Sequence, residues 1–322
     1  MKTGHSALTR IAVLQPLLVL LALLLAAPAA WGEECVLLQS SPLKAYEEAR
    51  QGFERAWQNL RPAAGPKSVS SGTLTQVLLS EQPPGNTFSL KKQLETARLV
   101  VVIGDPALEF VRGLRSTPVL YLLAPSAANL PGNFTGIDLR IRPSRQLEAI
   151  SRLLPKLRSI GALYNPAQTG HWAQEALLSQ PDSVRTLLFK KIAAPAELPE
   201  ALASLRGVVE AYWLLPDDLV TSPQALDTLR EFSMTNRVPI LSFSEKYLKA
   251  GAAAAITFDM ADLGAQAAAM ANRLFAGAPV AEVGVEAPRK QRIIANTAVL
   301  RKMGVAVNEA VVDEVYAGGG QP

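Results

Sequence analysis

The chain has 322 residues, 49% of them hydrophobic and 19% charged, with a formal net charge of +4 at pH 7. Taking Lys2 and Arg10, which belong to the leader described next, from the 32 Lys and Arg leaves 30 basic residues against 28 acidic ones; with no basic stripe interleaved with aromatics, nucleic acid is not an expected partner. A single cysteine excludes an intramolecular disulfide and a thiolate metal cluster, and with two histidines a zinc site is not expected, so the chain is read as using no metal or cofactor.

Lys2 and Arg10 give the start of the chain a basic character, and Leu17 to Ala27 is a nearly unbroken apolar run between Pro16 and Pro28. That run has eleven residues, against the roughly 20 that a bilayer-spanning helix needs. Ala29-Ala30-Trp31-Gly32 then offers small residues for cleavage, so residues 1–32 are expected to be a secretory signal peptide and the mature protein periplasmic. Gly32-Glu33-Glu34 ahead of Cys35 does not suit lipid attachment. The remaining chain, about 290 residues, is long for one core and comfortable for two domains.

Cys35 to Gln39 reads as a buried first strand, in which Cys35 serves as a small hydrophobe, followed by a helix from Leu43 to about Leu60. Strands are expected at Val77 to Leu79, Leu99 to Ile103 and Val119 to Leu123, with a helix from Pro106 to Leu114. The turn Pro131-Gly132-Asn133 opens another strand, Phe134 to Ile137. Pro143 to Leu157 carries Leu147, Ile150, Leu153 and Leu154 at helical spacing. A second set of strands follows at Ile160 to Tyr164, Val184 to Phe189, Val208 to Leu215, Pro239 to Leu241 and Ala253 to Phe258. Helices between them begin near Gly170, Pro195, Ser222 and Glu245. This alternation predicts an α/β protein of two parallel sheets flanked by helices. No low-complexity tether separates the halves, which favours a hinge over independent domains. The expected crossing strands are Ile137 to Ile141 and the segments near Met260 and Val283. The expected lobes are residues 33–138 with 260–283 and residues 139–259 with 284–316.

In open α/β sheets, ligands bind beyond the carboxyl ends of the strands, where helix N-termini present unpaired amides. That rule selects Ser40 and Ser41, Gly104 and Asp105, Tyr164 and Asn165, Asp217, and Ser242 and Phe243. Hydroxyls and helix-end amides suit a carboxylate or phosphate, Asp105 or Asp217 an ammonium, and Tyr164 or Phe243 a flat ring. Each serine and aspartate can equally be a helix cap, and for each of the two aromatics taken singly core packing is the better reading.

Catalytic signatures are sparse. His171 is the one histidine beyond the leader, and no Gly-x-Ser-x-Gly turn, phosphate loop or dinucleotide fingerprint accompanies it. Glu47-Glu48 reads as a solvated helix face and Arg289-Lys290-Gln291-Arg292 as a surface turn, so the chain is not expected to be an enzyme.

Leu130-Pro131-Gly132-Asn133-Phe134-Thr135-Gly136-Ile137, followed by Ser159-Ile160-Gly161-Ala162-Leu163-Tyr164-Asn165-Pro166, resembles the ABC-transporter substrate-binding family whose better-known members take up tryptophan and tyrosine. Gln39 to Gly52-Phe53, Val101-Val102-Ile103-Gly104, Arg237-Val238-Pro239-Ile240, Phe258-Asp259-Met260 to Gly264, and Ile293 to Gly304 add to the likeness in the family's order. The resemblance implies a two-lobed type I periplasmic-binding-protein fold, a monomer that captures a small, possibly amino-acid-like molecule in the cleft, and an inner-membrane ABC permease as partner. The alternative is a sensor that signals occupancy to a membrane receptor without transport. Two positions depart from the family pattern: Asp105 replaces a small hydroxyl residue, and Ala124-Pro125 stands for an Asp-Pro in a shortened loop. On this reading Asp105 meets the ligand and alters its selection.

Overall fold

Cys35-Val36-Leu37-Leu38 has no polar face, so its strand must be covered on both sides, and every one of these side chains is fully buried. The computed structural model describes residues 34–59, 73–139 and 142–317; the expected signal peptide, Leu60 and Ile141 lie outside the described residues. The first half runs β1 (Glu34–Gln39), α1 (Lys44–Asn59), β2 (Thr73–Leu78), α2 (Thr87–Thr96), β3 (Leu99–Ile103), α3 (Asp105–Val111), β4 (Val119–Leu122) and β5 (Phe134–Gly136). Its five strands are all parallel, in the order β2-β1-β3-β4-β5. Alternation along the strands splits the core in two. Cys35, Leu37, Val101 and Ile103 join Phe53 and Trp57 of α1, while Val36, Leu38, Val100 and Val102 join Leu90 and Leu94 of α2 and Leu108 of α3. Burial drives the Cys35 thiol far above its ordinary pKa, so it packs as a hydrophobe.

The second half runs α4 (Pro143–Leu153), β6 (Ser159–Tyr164), α5 (Pro166–Leu178), β7 (Thr186–Lys191), α6 (Leu198–Ala203), β8 (Ala211–Trp213), α7 (Asp218–Thr221), α8 (Pro223–Asn236), β9 (Ile240–Ser242) and β10 (Ala254–Phe258). Then come α9 (Met260–Phe275), α10 (Val280–Val283), β11 (Gln291–Ala295), α11 (Thr297–Lys302) and β12 (Glu314–Val315). The second sheet has the order β12-β11-β10-β9-β8-β6-β7, with β11 antiparallel to β10 and the other pairs parallel. Two separate cores fill its faces, one around Trp213 and the other around Tyr212.

Three crossings join the sheets. Beyond β5 the chain passes towards α4, and there Ile137 bridges Glu286 while the Asp138 amide donates to the Glu286 carbonyl at 2.9 Å. The second crossing is the step from β10 through Asp259 into α9, which returns to the first lobe and lies along α1. Gly52 faces the Ala261 carbonyl and Gly264 the Ala49 carbonyl so closely that a Cβ on either would collide with backbone. Trp57 stacks on Phe53 at 5.7 Å and meets Phe275 edge-on at 5.6 Å. The third crossing, residues 284–290, is clamped by α9: Gln266 donates to the Ala287 carbonyl at 3.0 Å and accepts from the Arg289 amide at 3.2 Å.

Several elements differ from expectation. The segments around Met260 and Val283 are helical, because Asp259 caps α9 through the Asp262 amide (3.0 Å) and Pro279 precedes α10; the crossings themselves are the loops beside them. Helix α5 starts at Pro166, ahead of Gly170, because Asn165 caps it. β7 lies two residues later than expected, since Val184 is held in a turn to Pro181. β8 starts only at Ala211, after the turn at Gly207, whose φ of 71° is left-handed, and it ends at Trp213. The segment from Glu245 makes one 3₁₀ turn only. Among the described residues no helix is long and apolar enough to cross a membrane.

Candidate ligand-binding site

The residues after β1 form the first wall. Ser40 is buried, and its hydroxyl donates to the Ile103 carbonyl at 2.8 Å and accepts from the Ala107 amide at 2.9 Å, tying β1 to α3. Both of its bonding roles are thus taken up by the fold. Ser41 is half-buried, and its carbonyl accepts from Gln39 Nε2 at 2.7 Å, while its hydroxyl has no hydrogen-bond partner among the described residues. Gly104 has φ 93°, and a Cβ there would lie 2.7 Å from both Ser40 Oγ and the Tyr46 ring. Its lack of a side chain lets Tyr46, in the first turn of α1, lean across the end of β3. Burial, and then the negative charge of Asp105, raise the Tyr46 pKa, which places the phenol within the field of that carboxylate.

Asp105 and the shortened loop prove to be one arrangement. Asp105 Oδ1 accepts from the Ser126 amide at 2.9 Å and the Ser126 hydroxyl at 2.6 Å. The carboxylate therefore pins the loop beyond β4, immediately after Ala124-Pro125. One oxygen, Oδ2, has no hydrogen-bond partner among the described residues.

On the opposite wall, Asp217 is completely buried. It accepts from the Asn165 amide at 2.7 Å, the Thr169 hydroxyl at 2.6 Å and the Leu219 amide at 3.1 Å. It caps α7 and locks the loop after β8 to the loop after β6. Asn165 caps α5 through the Ala167 amide at 3.0 Å. Ser242, also fully buried, has its hydroxyl 3.0 Å from the Ala254 carbonyl and 3.2 Å from that of Ser244. Tyr164 and Phe243 are half-buried; Tyr164 meets Phe189 edge-on at 5.9 Å, and Phe243 meets Tyr247 at 5.1 Å.

The nine residues selected by strand-end position therefore divide. Ser40, Gly104, Asn165, Asp217 and Ser242 build the loops, whereas Ser41, Asp105, Tyr164 and Phe243 keep a face or an atom available. Sequence reasoning missed Tyr46, Lys44, Ser126, Glu245 and Arg292. Tyr46 and Lys44 lie in the first turn of the helix that follows β1, so the strand-end rule extended by one helical turn would have selected both.

Ion pairs bring the two walls together. Lys44 Nζ is 3.7 Å from Glu245, in the segment after β9, and Arg292 of β11 is 3.6 Å from Glu48 of α1 and also pairs with Glu314. The carboxyl ends of β1 and β9 thus face one another. The basic run at Arg289 is no free surface turn, because Arg289 pairs with Asp262 at 2.8 Å and Lys290 with Asp259 at 2.5 Å. His171 is exposed on α5. Among the described residues no group of three or more His, Cys, Asp or Glu side chains could hold a metal ion.

The family model described as ABC transporter substrate binding protein matches residues 88–317. A curated relative, the tyrosine-binding protein of Clostridioides difficile (strain R20291), is 25% identical over 188 residues, covering 58% of this chain and 54% of that protein; the chain thus spans about half the length of this relative. Among solved structures, a ligand-free, open substrate-binding protein with adhesive properties from Clostridium difficile superposes with a TM-score of 0.68 at 20% identity, covering 88% of this chain and 98% of that one. An ABC domain in complex with L-Trp from Streptococcus pneumonia gives 0.52 at 21% identity, covering 88% and 99%. An arabinose-binding protein from Geobacillus stearothermophilus gives 0.52 at 13%, covering 84% and 99%, so the two-lobed fold is shared across different ligands. The chain belongs to the family of ABC transporter substrate-binding proteins.

Proposed function

We propose that the protein is exported, captures a small molecule between its two lobes and delivers it to an ABC permease, without catalysing a reaction. The observation that carries this reading is the facing of the strand ends, joined across the lobes by Lys44–Glu245 and Glu48–Arg292. Ligand contacts drawn from both walls exist together only when the lobes are shut, so binding shifts the balance between open and closed forms. The lobes divide at residues 33–138 with 260–283 and 139–259 with 284–316. Ser41, Tyr46 and Asp105 contribute hydroxyls and a carboxylate from one side; Tyr164 and Phe243 contribute ring faces from the other. A zwitterionic ligand with an apolar or aromatic body fits that set, its ammonium towards Asp105 and its ring towards the aromatics. The names of two related proteins, one tyrosine-binding and one holding L-Trp, support an amino acid of this kind.

The test is native mass spectrometry of protein purified without refolding, together with calorimetric titration of L-tyrosine and L-tryptophan. A copurifying small molecule, or saturable one-to-one binding of either amino acid, is expected. Protein that carries no small molecule and binds neither amino acid would refute the reading.

A further inference from the structure

A cavity of about 290 Å³ opens at the hinge, lined by Arg142, Ser144, Arg145, Phe258, Pro288 and Arg289 among others. None of the strand-end residues discussed above lines it. Its walls come from segments beside all three crossings: the start of α4 after the first, Phe258 before the second, and residues 287–289 of the third. The charge around it is unbalanced. Arg289 is neutralised by Asp262 through two contacts of 2.8 Å, whereas Arg142 and Arg145 have no carboxylate partner among the described residues. Arg145 instead donates to the Arg289 carbonyl at 3.3 Å, which draws its guanidinium to the same rim. Both arginines also stand at the positive end of α4, which has no acidic residue in its first turn and no side-chain cap. Cations at a helix N-terminus are the reverse of the favoured arrangement. A concave site whose walls include Phe258 and Pro288 concentrates that positive potential.

We propose that this hinge cavity binds a small oxyanion, a carboxylate or phosphate, through Arg142, Arg145 and the Ser144 amide in the first turn of α4, an amide with no partner among the described residues. Guanidinium groups take such oxygens in bidentate pairs, and the helix end adds an amide donor. The bound anion supplies the negative charge that the first turn of α4 lacks. Because its walls follow all three crossings, occupancy favours whichever lobe angle brings them closest around the anion. The cavity shares no lining residue with the strand-end set of the cleft.

The test is calorimetric titration of the purified protein with sodium phosphate and, separately, sodium citrate in low-salt buffer, repeated on Arg142→Gln/Arg145→Gln. Saturable one-to-one binding is expected, weakened roughly tenfold or more in the double variant, and the tighter of the two anions shows whether the cavity prefers phosphate or carboxylate. Unsaturable heats with both anions, or equal affinities in the two proteins, would overturn it. Hydrogen–deuterium exchange of the unaltered protein keeps the test decisive if the variant fails to fold. Phosphate or citrate should slow exchange at residues 142–147 and 287–291, and unchanged exchange there with either anion would overturn the proposal. Titration of the double variant with L-tyrosine and L-tryptophan separates the two sites, because loss of the hinge anion should leave the cleft ligand bound.

Discussion

Asp217 and Asp105 are both carboxylates at strand ends, and their neighbours give them different roles. Asp217 satisfies two backbone amides and a hydroxyl in a fully buried setting. Asp217→Ala leaves those donors without an acceptor, and a loss of about 3 kcal/mol or more is expected in urea unfolding. Asp105 holds Ser126 from a half-exposed position, so Asp105→Ala should cost about 1 to 2 kcal/mol, Ser126→Ala less because the backbone amide there still donates to the carboxylate, and the two combined little more than Asp105→Ala alone. Additive losses in that cycle would dissolve the pairing. Two other carboxylates make stability depend on pH. Glu47 is held below the usual carboxylate range by hydrogen bonds from Arg50 and Gln39. At Asp259 burial pushes the pKa up, but Lys290 and the Asp262 amide outweigh it and the net shift is down. Both groups favour the folded state above the unfolded carboxylate value of about 4, and that contribution fades as pH falls through their lowered values. Glu47→Gln combined with Asp259→Asn should therefore lose less stability than the unaltered protein when urea unfolding is compared at pH 7 and pH 3.

Among the elements, the contact between α1 and α9 joins segments more than two hundred residues apart, and it works because Gly52 and Gly264 let the backbones touch. Gly264→Ala drives a methyl into the Ala49 carbonyl and should destabilise by more than about 2 kcal/mol, measured as a lowered midpoint of thermal unfolding. An unchanged midpoint would mean that the helices are free to move apart. The sheets were legible in the sequence because strands covered on both faces must be apolar throughout, as Leu99 to Ile103 is. Helix α2 escaped notice because only Leu90 and Leu94 mark its buried side among Thr, Ser and Lys residues. The site was legible only as a set of positions. Whether Ser40 or Ser41 keeps a free hydroxyl depends on where Ile103 and Ala107 lie in space, and the pairing of Asp105 with Ser126 joins residues that no local pattern relates. The basic run near Arg289 likewise looked solvated until its partners, Asp259 and Asp262, were brought alongside by α9.

At the scale of the whole molecule, capture in the cleft requires the lobes to move as bodies about the three crossings, the parallel sheets keeping their cores intact. Lys44–Glu245 and Glu48–Arg292 are partly exposed, so each holds the lobes only weakly. A ligand gripped from both walls must therefore supply most of the preference for closure. Small-angle X-ray scattering tests this most directly, comparing the ligand-free protein with protein saturated by the amino acid that titrates or the molecule that copurifies, with circular dichroism on the same samples. The radius of gyration should fall while the secondary-structure signal stays constant; an unchanged radius at proven saturation would contradict capture by closure of the two lobes.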